Sequence, residues 1–224
     1  MHPTTRAYLD RQSGDEQHDD SATSVAEVLD ALYDEVLDIA PERASDPDRD
    51  RFLLSKGHGP AAYHAVLARH GWFSPDLLTG VGTFDSPLGH HPDRLLEPGV
   101  EISSGSLGHG LALAVGSAVA LRWAGRRSRV VVLVGDAELD EGSNHEAIAV
   151  AGRLRLARLT AVVVDNASAS LGWPGGVAAR FAIEGWVTRD VDAADRPALV
   201  AALRATAADA PTAVVVHTDP KGAR

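Results

Sequence analysis

Two short polar segments suit the binding of a divalent metal ion. Residues 135–138, Gly-Asp-Ala-Glu, follow an aliphatic run at 130–134, and residues 165–168, Asp-Asn-Ala-Ser, follow a similar run at 160–164. Carboxylate and amide oxygens are hard ligands that magnesium and calcium prefer, and a diphosphate could supply further oxygens to the same ion. The two segments therefore predict a magnesium or calcium site, provided that the fold brings them together.

A parallel sheet would bring the two segments together. The runs at 130–134 and 160–164 have the composition of buried strands, and the helical pattern between them completes a βαβ unit. Further strands near 186–191 and 212–217 flank a helix near 197–207. Strands that alternate with helices predict an α/β fold with a mostly parallel central sheet and helices on both faces. Ligands bind such sheets beyond the carboxyl ends of the strands, where N–H groups of helix N-termini converge.

Earlier in the chain, the pattern predicts two more helices and one long connection. Ser24 is a capping residue with Glu27 three positions later, and the apolar period that follows predicts a helix that Pro41 ends. Residues 80–98 are rich in Gly and Pro and predict a long connection. Residues 107–123 predict a helix so apolar that we expect it to be buried.

The composition predicts one globular domain and excludes several functional classes. A chain of 224 residues with 45% hydrophobic residues can bury a sizeable core, although residues 1–20 are polar and acidic. We therefore predict a flexible N-terminal segment over residues 1–20 and a single domain over residues 21–224.

The net charge of −10 argues against nucleic acid and anionic membrane surfaces as partners. No apolar run is long enough to span a bilayer, so we expect a cytoplasmic protein. The sequence contains no cysteine, which excludes disulfides, thiolate catalysis and Cys-ligated zinc, and leaves oxygen or imidazole as metal ligands.

Several ordered motifs resemble the thiamine diphosphate enzymes, specifically the N-terminal half of transketolase. Gly135-Asp136-Ala137 and Asp165-Asn166, with 27 residues (138 through 164) between them, are similar to the family's GDG and Asn fingerprint. The resemblance covers roughly residues 18–217. Four further blocks agree in order: residues 50–58 (DRFLLSKGH), 91–92 (HP), 104–110 (SGSLGHG) and 138–147 (ELDEGSNHEA).

The resemblance implies a role for each matched position. The metal ion, magnesium or calcium, would be held by Asp136, the side chain of Asn166 and the carbonyl of Ser168. The catalytic histidines would be His58, His91 and His18. His58 would face both the diphosphate and the substrate, and His91 and His18 would face the substrate. The remaining residues implied to bind thiamine diphosphate are Gly105, Ser106, Leu107, Gly135, Ala137 and Glu146.

Some positions depart from the family pattern and leave alternatives open. Ala137 replaces a glycine but keeps its N–H, so the alternatives are an intact cofactor site and a degenerate one. His109 and His145 replace a glutamine and a tryptophan and are either substrate contacts or packing residues. Asp19 and Asp20 replace two glycines after His18, so His18 either contacts the substrate or belongs to a mobile acidic tail. His64 is interpreted as a surface or packing residue.

The resemblance also implies a partner. Transketolases activate the cofactor with a glutamate on a separate pyrimidine-binding domain, which these 224 residues do not contain. We expect a split transketolase, in which a second polypeptide supplies that domain in a heterodimer or a dimer of heterodimers. The donor would be a ketose phosphate, and the acceptor an aldehyde or a carrier-protein thiol. The alternatives are the α subunit of a 2-oxo acid dehydrogenase and a non-catalytic scaffold that retains the fold.

Overall fold

The computed structural model describes residues 1–12 and 20–219 and contains one five-stranded sheet. All strand pairs are parallel, and the strand order is β1-β2-β3-β5-β4. This confirms the predicted parallel α/β fold. The strands are β1 (Arg51–Leu54), β2 (Val130–Gly135), β3 (Leu159–Asp165), β4 (Val187–Asp192) and β5 (Thr212–His217).

Seven α-helices in the described residues cover the two faces of the sheet, as the sequence predicts. Alternate residues of β2 point to opposite faces, because side chains along a strand alternate: Val131 and Leu133 belong to one apolar cluster, and Val130, Val132 and Val134 to another. Helices α1, α2, α3 and α7 contribute to the first cluster and α4, α5 and α6 to the second. The helices are α1 (Pro3–Asp10), α2 (Asp20–Ala31), α3 (Pro60–Arg69), α4 (Gly110–Trp123), α5 (Gly142–Arg153), α6 (Gly176–Ala182) and α7 (Arg196–Arg204).

Several elements were not expected from the sequence, among them helix α1 and strand β1. Helix α1 lies within the segment predicted to be flexible, and its Leu9 and Thr5 are buried. Two buried side chains are too few to make a recognisable apolar period, so the sequence gives no signal for this helix. Residues 13–19 lie outside the described part of the chain, and the flexibility of the N-terminal segment stays a prediction. Strand β1 has only four residues, too few for a periodic pattern.

The predicted helix at 107–123 is observed as α4, but the prediction that it is buried is wrong for this chain by itself. Leu111 and Ala114 face the sheet and are fully buried, whereas Leu113 is 48% exposed and Trp123 is 83% exposed. A helix that is apolar on all sides does not show in its sequence which side the chain itself covers. Helix α4 therefore presents an apolar surface that no other described element covers.

The long connection predicted over residues 80–98 is confirmed. A short 3₁₀ helix, Pro75–Gly80, precedes it, and residues 81–109 form no strand or further helix before α4 begins at Gly110. Among the described residues, no helix has both the length and the apolar character that a membrane span requires.

Candidate functional site

The site lies at the carboxyl ends of β1, β2 and β3, and Asp136 is at its centre. The N–H of Asp136 donates to the carbonyl of Val164 at 3.1 Å, which places the residue between the ends of β2 and β3. Its side chain is 1% exposed. The carboxylate accepts hydrogen bonds from the Ser168 N–H and hydroxyl, both at 2.6 Å, and from the Ala169 N–H at 2.9 Å. The loop that follows β3 is therefore folded onto this carboxylate.

Asn166 lies at the adjacent strand end and has an unsatisfied acceptor. Its side chain is 2% exposed, and its Oδ1 is buried without a hydrogen-bond partner among residues 1–12 and 20–219. A buried amide oxygen without a donor is destabilising unless a cation or another donor satisfies it. Together with Asp136 it offers two hard oxygens of the kind that magnesium and calcium bind, and a diphosphate and water could supply the other ligands. These two predicted ligands therefore fit a divalent ion.

Ser168 contacts Asp136 directly: its N–H and hydroxyl both donate to the carboxylate. That its carbonyl binds the metal stays a prediction. The preceding Ala167 has a φ of +56°, a left-handed conformation that is unfavourable for alanine. Oδ2 of Asp136 accepts two of the loop's hydrogen bonds and Oδ1 accepts only one, so Oδ1 keeps a lone pair for an ion.

Ala137, where the resemblance has glycine, begins a 3₁₀ turn that runs from Ala137 to Asp140. Its backbone is not among the residues of positive φ, so alanine is accommodated without strain. The first N–H groups of such a turn have no acceptor within it and are available to an anion. The replacement of glycine at this position therefore leaves the backbone donors of the site intact.

Glu138 connects three segments around the site, a role that sequence reasoning missed. Its carboxylate accepts hydrogen bonds from the Ser55 hydroxyl, from the Gly108 N–H at 3.0 Å and from the Gly135 N–H at 3.3 Å. Burial raises the pKa of Glu138, and these donors together with the charge of Lys56 oppose the increase. Glu138 thus holds together the ends of β1 and β2 and the loop at 104–110.

Lys56 provides positive charge at the same end of the sheet. The residue is 6% exposed, and a Cβ placed on Gly135 would stand 3.1 Å from its Nζ. The ammonium group therefore lies beside the backbone that leads into Asp136. A buried cation at this point favours the binding of an anion such as a diphosphate.

The loop at 104–110 packs closely against its neighbours, and glycine permits each close approach. Gly105 has a φ of +116°, and a Cβ there would stand 2.7 Å from the ring of His91. A Cβ on Gly110 would stand 2.3 Å from Ser55, and one on Gly57 would stand 3.1 Å from Leu107. The predicted residues Gly105 and Leu107 therefore lie beside the segments that carry His91 and His58.

His58, His91 and Ser106 are all exposed. His58 directly follows Gly57 at the end of β1, and His91 covers Gly105. This fold therefore brings the two predicted catalytic histidines to the same edge of the sheet as Asp136, with their rings accessible to a ligand.

The loop that carries His91 meets α3 at a buried contact between an imidazole and a carboxylate. Nε2 of His64 lies 2.9 Å from Oε2 of Glu97, and both side chains are fully buried. The other oxygen of Glu97 accepts from the N–H of Asp93, two residues after His91, at 3.0 Å. His64, interpreted from the sequence as a surface or packing residue, is therefore a buried partner of the substrate loop.

Other predicted residues lie further from this cluster or cannot be placed. Glu146 is exposed on α5, and within the described residues no hydrogen bond or ion pair joins it to the other predicted site residues. His145 packs against Trp173, with ring centroids 4.9 Å apart and the ring planes tilted by 46°, an arrangement typical of packing. His109 is exposed and precedes α4. His18 lies outside the described residues.

Comparisons with known proteins agree with this geometry. Residues 9–219 match the family described as "Transketolase, thiamine diphosphate binding domain". The chain is 53% identical over 219 residues to "Ferredoxin fas2" of Rhodococcoides fascians, covering 97% of this chain and 72% of that protein. It is 40% identical over 149 residues to one subunit of the apulose-4-phosphate transketolase of Actinobacillus succinogenes, covering 66% of this chain and 54% of that polypeptide.

A solved transketolase has the same fold. The transketolase of Leishmania mexicana superposes with a TM-score of 0.76 at 27% identity and covers 92% of this chain. The chain spans 37% of the length of that enzyme and 54% of the length of the Actinobacillus relative.

Proposed function

This chain belongs to the family of transketolase thiamine diphosphate-binding domains, and on that basis we propose that it is the diphosphate-binding subunit of a two-component transketolase-type enzyme. The enzyme transfers a two-carbon ketol unit from a ketose phosphate to an acceptor. The observation that carries this proposal is the pair of buried oxygen ligands at adjacent strand ends. Asp136 supplies a carboxylate, and Asn166 supplies an amide oxygen that no described residue satisfies.

The residues at the strand ends have the chemistry to hold thiamine diphosphate through a divalent ion, magnesium or calcium. Asp136 and Asn166 would bind the ion, the N–H of Ala137 would face the diphosphate, and Lys56 would add positive charge nearby. The predicted residues Gly105, Ser106 and Leu107 would contact the aminopyrimidine. When bound, thiamine diphosphate supplies a nucleophilic carbon that can carry a two-carbon unit between sugars.

The two exposed histidines have the chemistry for the sugar. An imidazole can donate a hydrogen bond from one ring nitrogen and accept a proton at the other near neutral pH. We propose that His91 binds and orients the hydroxyl groups of the donor, and that His58 lies between the donor and the diphosphate. The buried contact between Glu97 and His64 would keep His91 in this position.

A partner polypeptide completes the proposed enzyme. A relative that matches 66% of this chain is named as one subunit of a transketolase, which supports a division of the enzyme into separate polypeptides. The uncovered apolar side of α4, with Leu113 and Trp123, is a surface that association could bury. A hetero-oligomer with a pyrimidine-binding partner, a cytoplasmic location, and an aldehyde or carrier-protein thiol as acceptor stay predictions.

A non-catalytic scaffold is the second candidate, and one observation favours it. The loop after β3 places three donors on Asp136, so most of the acceptor capacity of the predicted metal ligand is used within the chain. The name of the Rhodococcoides relative does not carry an iron–sulfur function to these 224 residues, because ferredoxin clusters are held by cysteine thiolates and the sequence has none.

Calorimetric titration of thiamine diphosphate in the presence of magnesium separates the two candidates. The titration is made into this chain alone and into its complex with a candidate pyrimidine-binding polypeptide from a neighbouring gene. The two-component enzyme predicts metal-dependent binding to the complex, with loss of the heat signal when EDTA removes the ion. A stable complex that binds no cofactor would contradict the enzyme and support the scaffold.

A further inference from the structure

A cavity lies at the opposite end of the strands from the candidate site, at the amino end of β2. It has a volume of about 280 Å³ and lies between the end of α4, the beginning of β2 and the turn that joins α5 to β3. Strand β2 runs from Val130, which lines the cavity, to Gly135, which precedes Asp136. Six residues of strand separate the two places by roughly 20 Å. The cavity is therefore distinct from the predicted cofactor site.

The cavity is rich in arginine, although the chain as a whole is acidic. Four of its lining residues are arginines, and no lining residue in the described part of the chain is acidic: Arg122, Arg126, Arg155 and Arg158. The net charge of the whole chain is −10. The cavity is therefore a local reversal of the overall charge.

Within residues 1–12 and 20–219, two of the four guanidinium groups have no carboxylate partner. Arg126 pairs with Asp48 at 3.0 Å and Arg155 with Asp209 at 3.4 Å. Arg122 donates to the carbonyl of Leu154, and Arg158 to the carbonyl of Arg127. The C-termini of α4 and α5 carry about half a negative charge each, which offsets roughly one of these two cations. A net positive charge remains at the cavity.

The backbone at Arg155 gives an independent observation. Helices α4 and α5 end in the same way, with a residue of left-handed conformation and a hydrogen bond from the following N–H back to the helix. In α4 this residue is Gly125, with a φ of +69°, whereas in α5 it is Arg155, with a φ of +51°. Glycine is the residue that this position favours, because a Cβ is strained there. Arg155 thus occupies a backbone position that favours glycine.

We propose that this cavity binds a phosphate ester with a small apolar body. Guanidinium groups bind phosphate through paired N–H donors, and Arg122, Arg155 and Arg158 have donors beyond those used within the chain. Ala118, Leu121 and Leu156 provide apolar walls for the organic part of the ligand. The site is separate from the proposed transferase chemistry, and α4 connects it to the loop at 104–110.

The test uses phenyl phosphate as the probe, titrated calorimetrically into the full chain at constant ionic strength. The expected result is binding at one site in the wild type and in the Asp136→Ala variant, which lacks the predicted metal ligand. Binding should be at least tenfold weaker in the Arg122→Gln, Arg158→Gln double variant. Arg189→Gln, a change at an exposed arginine of β4, is the matched control and should bind like the wild type. Benzyl alcohol, which has a similar ring and no phosphate, should not bind.

A second variant separates a binding role from a structural one. Arg155→Gly relieves the left-handed strain, so its melting temperature should rise while its affinity for phenyl phosphate falls by at least tenfold. Three results would overturn the proposal: no binding to the wild type, equal binding by the wild type and both sets of arginine variants, or binding that is lost in Asp136→Ala. The last result would place the phosphate at the cofactor site.

Discussion

The ring of His91 lies directly over the backbone of Gly105. The φ of +116° at Gly105 and the absence of a side chain are both necessary for this contact, because a Cβ would stand 2.7 Å from Cγ of the imidazole. The contact joins the two loops that the sequence assigns to the substrate and to the cofactor. A substitution at either residue should therefore shift the position of the other.

We predict that Gly105→Ala destabilises the protein by about 2 kcal/mol, since the new methyl group meets His91 and the backbone is unfavourable for alanine. Urea denaturation measures the change in unfolding free energy. Gly116→Ala is the matched control, because Gly116 lies on the exposed side of α4 with no described atom near a new Cβ. That substitution should stabilise by roughly 0.5–1 kcal/mol. Equal stability of Gly105→Ala and the wild type would refute the packing argument.

Asp136→Ala should abolish metal-dependent binding of thiamine diphosphate, because the ion would lose its carboxylate ligand. We expect a loss of affinity of at least about 100-fold, or roughly 2.7 kcal/mol, in calorimetric titrations of the complex. Asp140→Ala is the control, since Asp140 also accepts hydrogen bonds from the loop after β3, at Ser170 and Leu171, and is not a predicted ligand. An equal loss in both variants would assign the effect to the loop. Unchanged affinity of Asp136→Ala would remove Asp136 from the metal site.

Glu138 should make the stability depend on pH. Burial raises the pKa of Glu138 in the folded state, so the folded protein takes up this proton more readily than the unfolded chain. The stability that this proton contributes is complete at a pH below the pKa of Glu138 in the unfolded chain. It is lost as the pH rises through the pKa of Glu138 in the folded protein. Unfolding free energies of the wild type and Glu138→Gln, measured between about pH 4 and pH 8, isolate this group. The wild type should lose stability relative to the variant as the pH rises, and a constant difference would contradict the prediction.

The buried pair of His64 and Glu97 should act on the donor through His91. We predict that Glu97→Gln lowers the unfolding free energy by about 1–2 kcal/mol, because an amide replaces the buried carboxylate that faces His64, and that it raises the KM for the ketose phosphate. In a protein that already carries His91→Ala, Glu97→Gln should leave the KM nearly unaltered, since the residue through which Glu97 acts is absent. Cofactor affinity should stay close to that of the wild type in both backgrounds.

His70, the residue that follows α3, offers the control for this pair. His70→Gln removes a half-buried contact with Asp34 and should change the unfolding free energy by less than about 1 kcal/mol. Additive effects of Glu97→Gln and His91→Ala on the KM would show that the contact between His64 and Glu97 does not act through His91.

The sequence determined the central elements of the fold. Long β-branched runs at 130–134 and 160–164 have the period and apolarity of buried parallel strands, and the structure contains both as parts of β2 and β3. Asp136 and Asn166 directly follow these strands. Parallel pairing alone therefore places both residues at the carboxyl end of the sheet. Local signals are sufficient here because each element is long and buried on both faces.

Tertiary structure alone decided which distant side chains meet. Ser55 and Glu138 are 83 residues apart and lie together at the ends of β1 and β2. His64 and Glu97 form a buried pair although neither lies in a recognisable motif. Such contacts depend on how loops close and helices pack, whereas periodicity reports only which face of one element is buried. For the same reason the sequence identified α4 as apolar, and only the packed chain showed that Leu113 and Trp123 lie on its uncovered side.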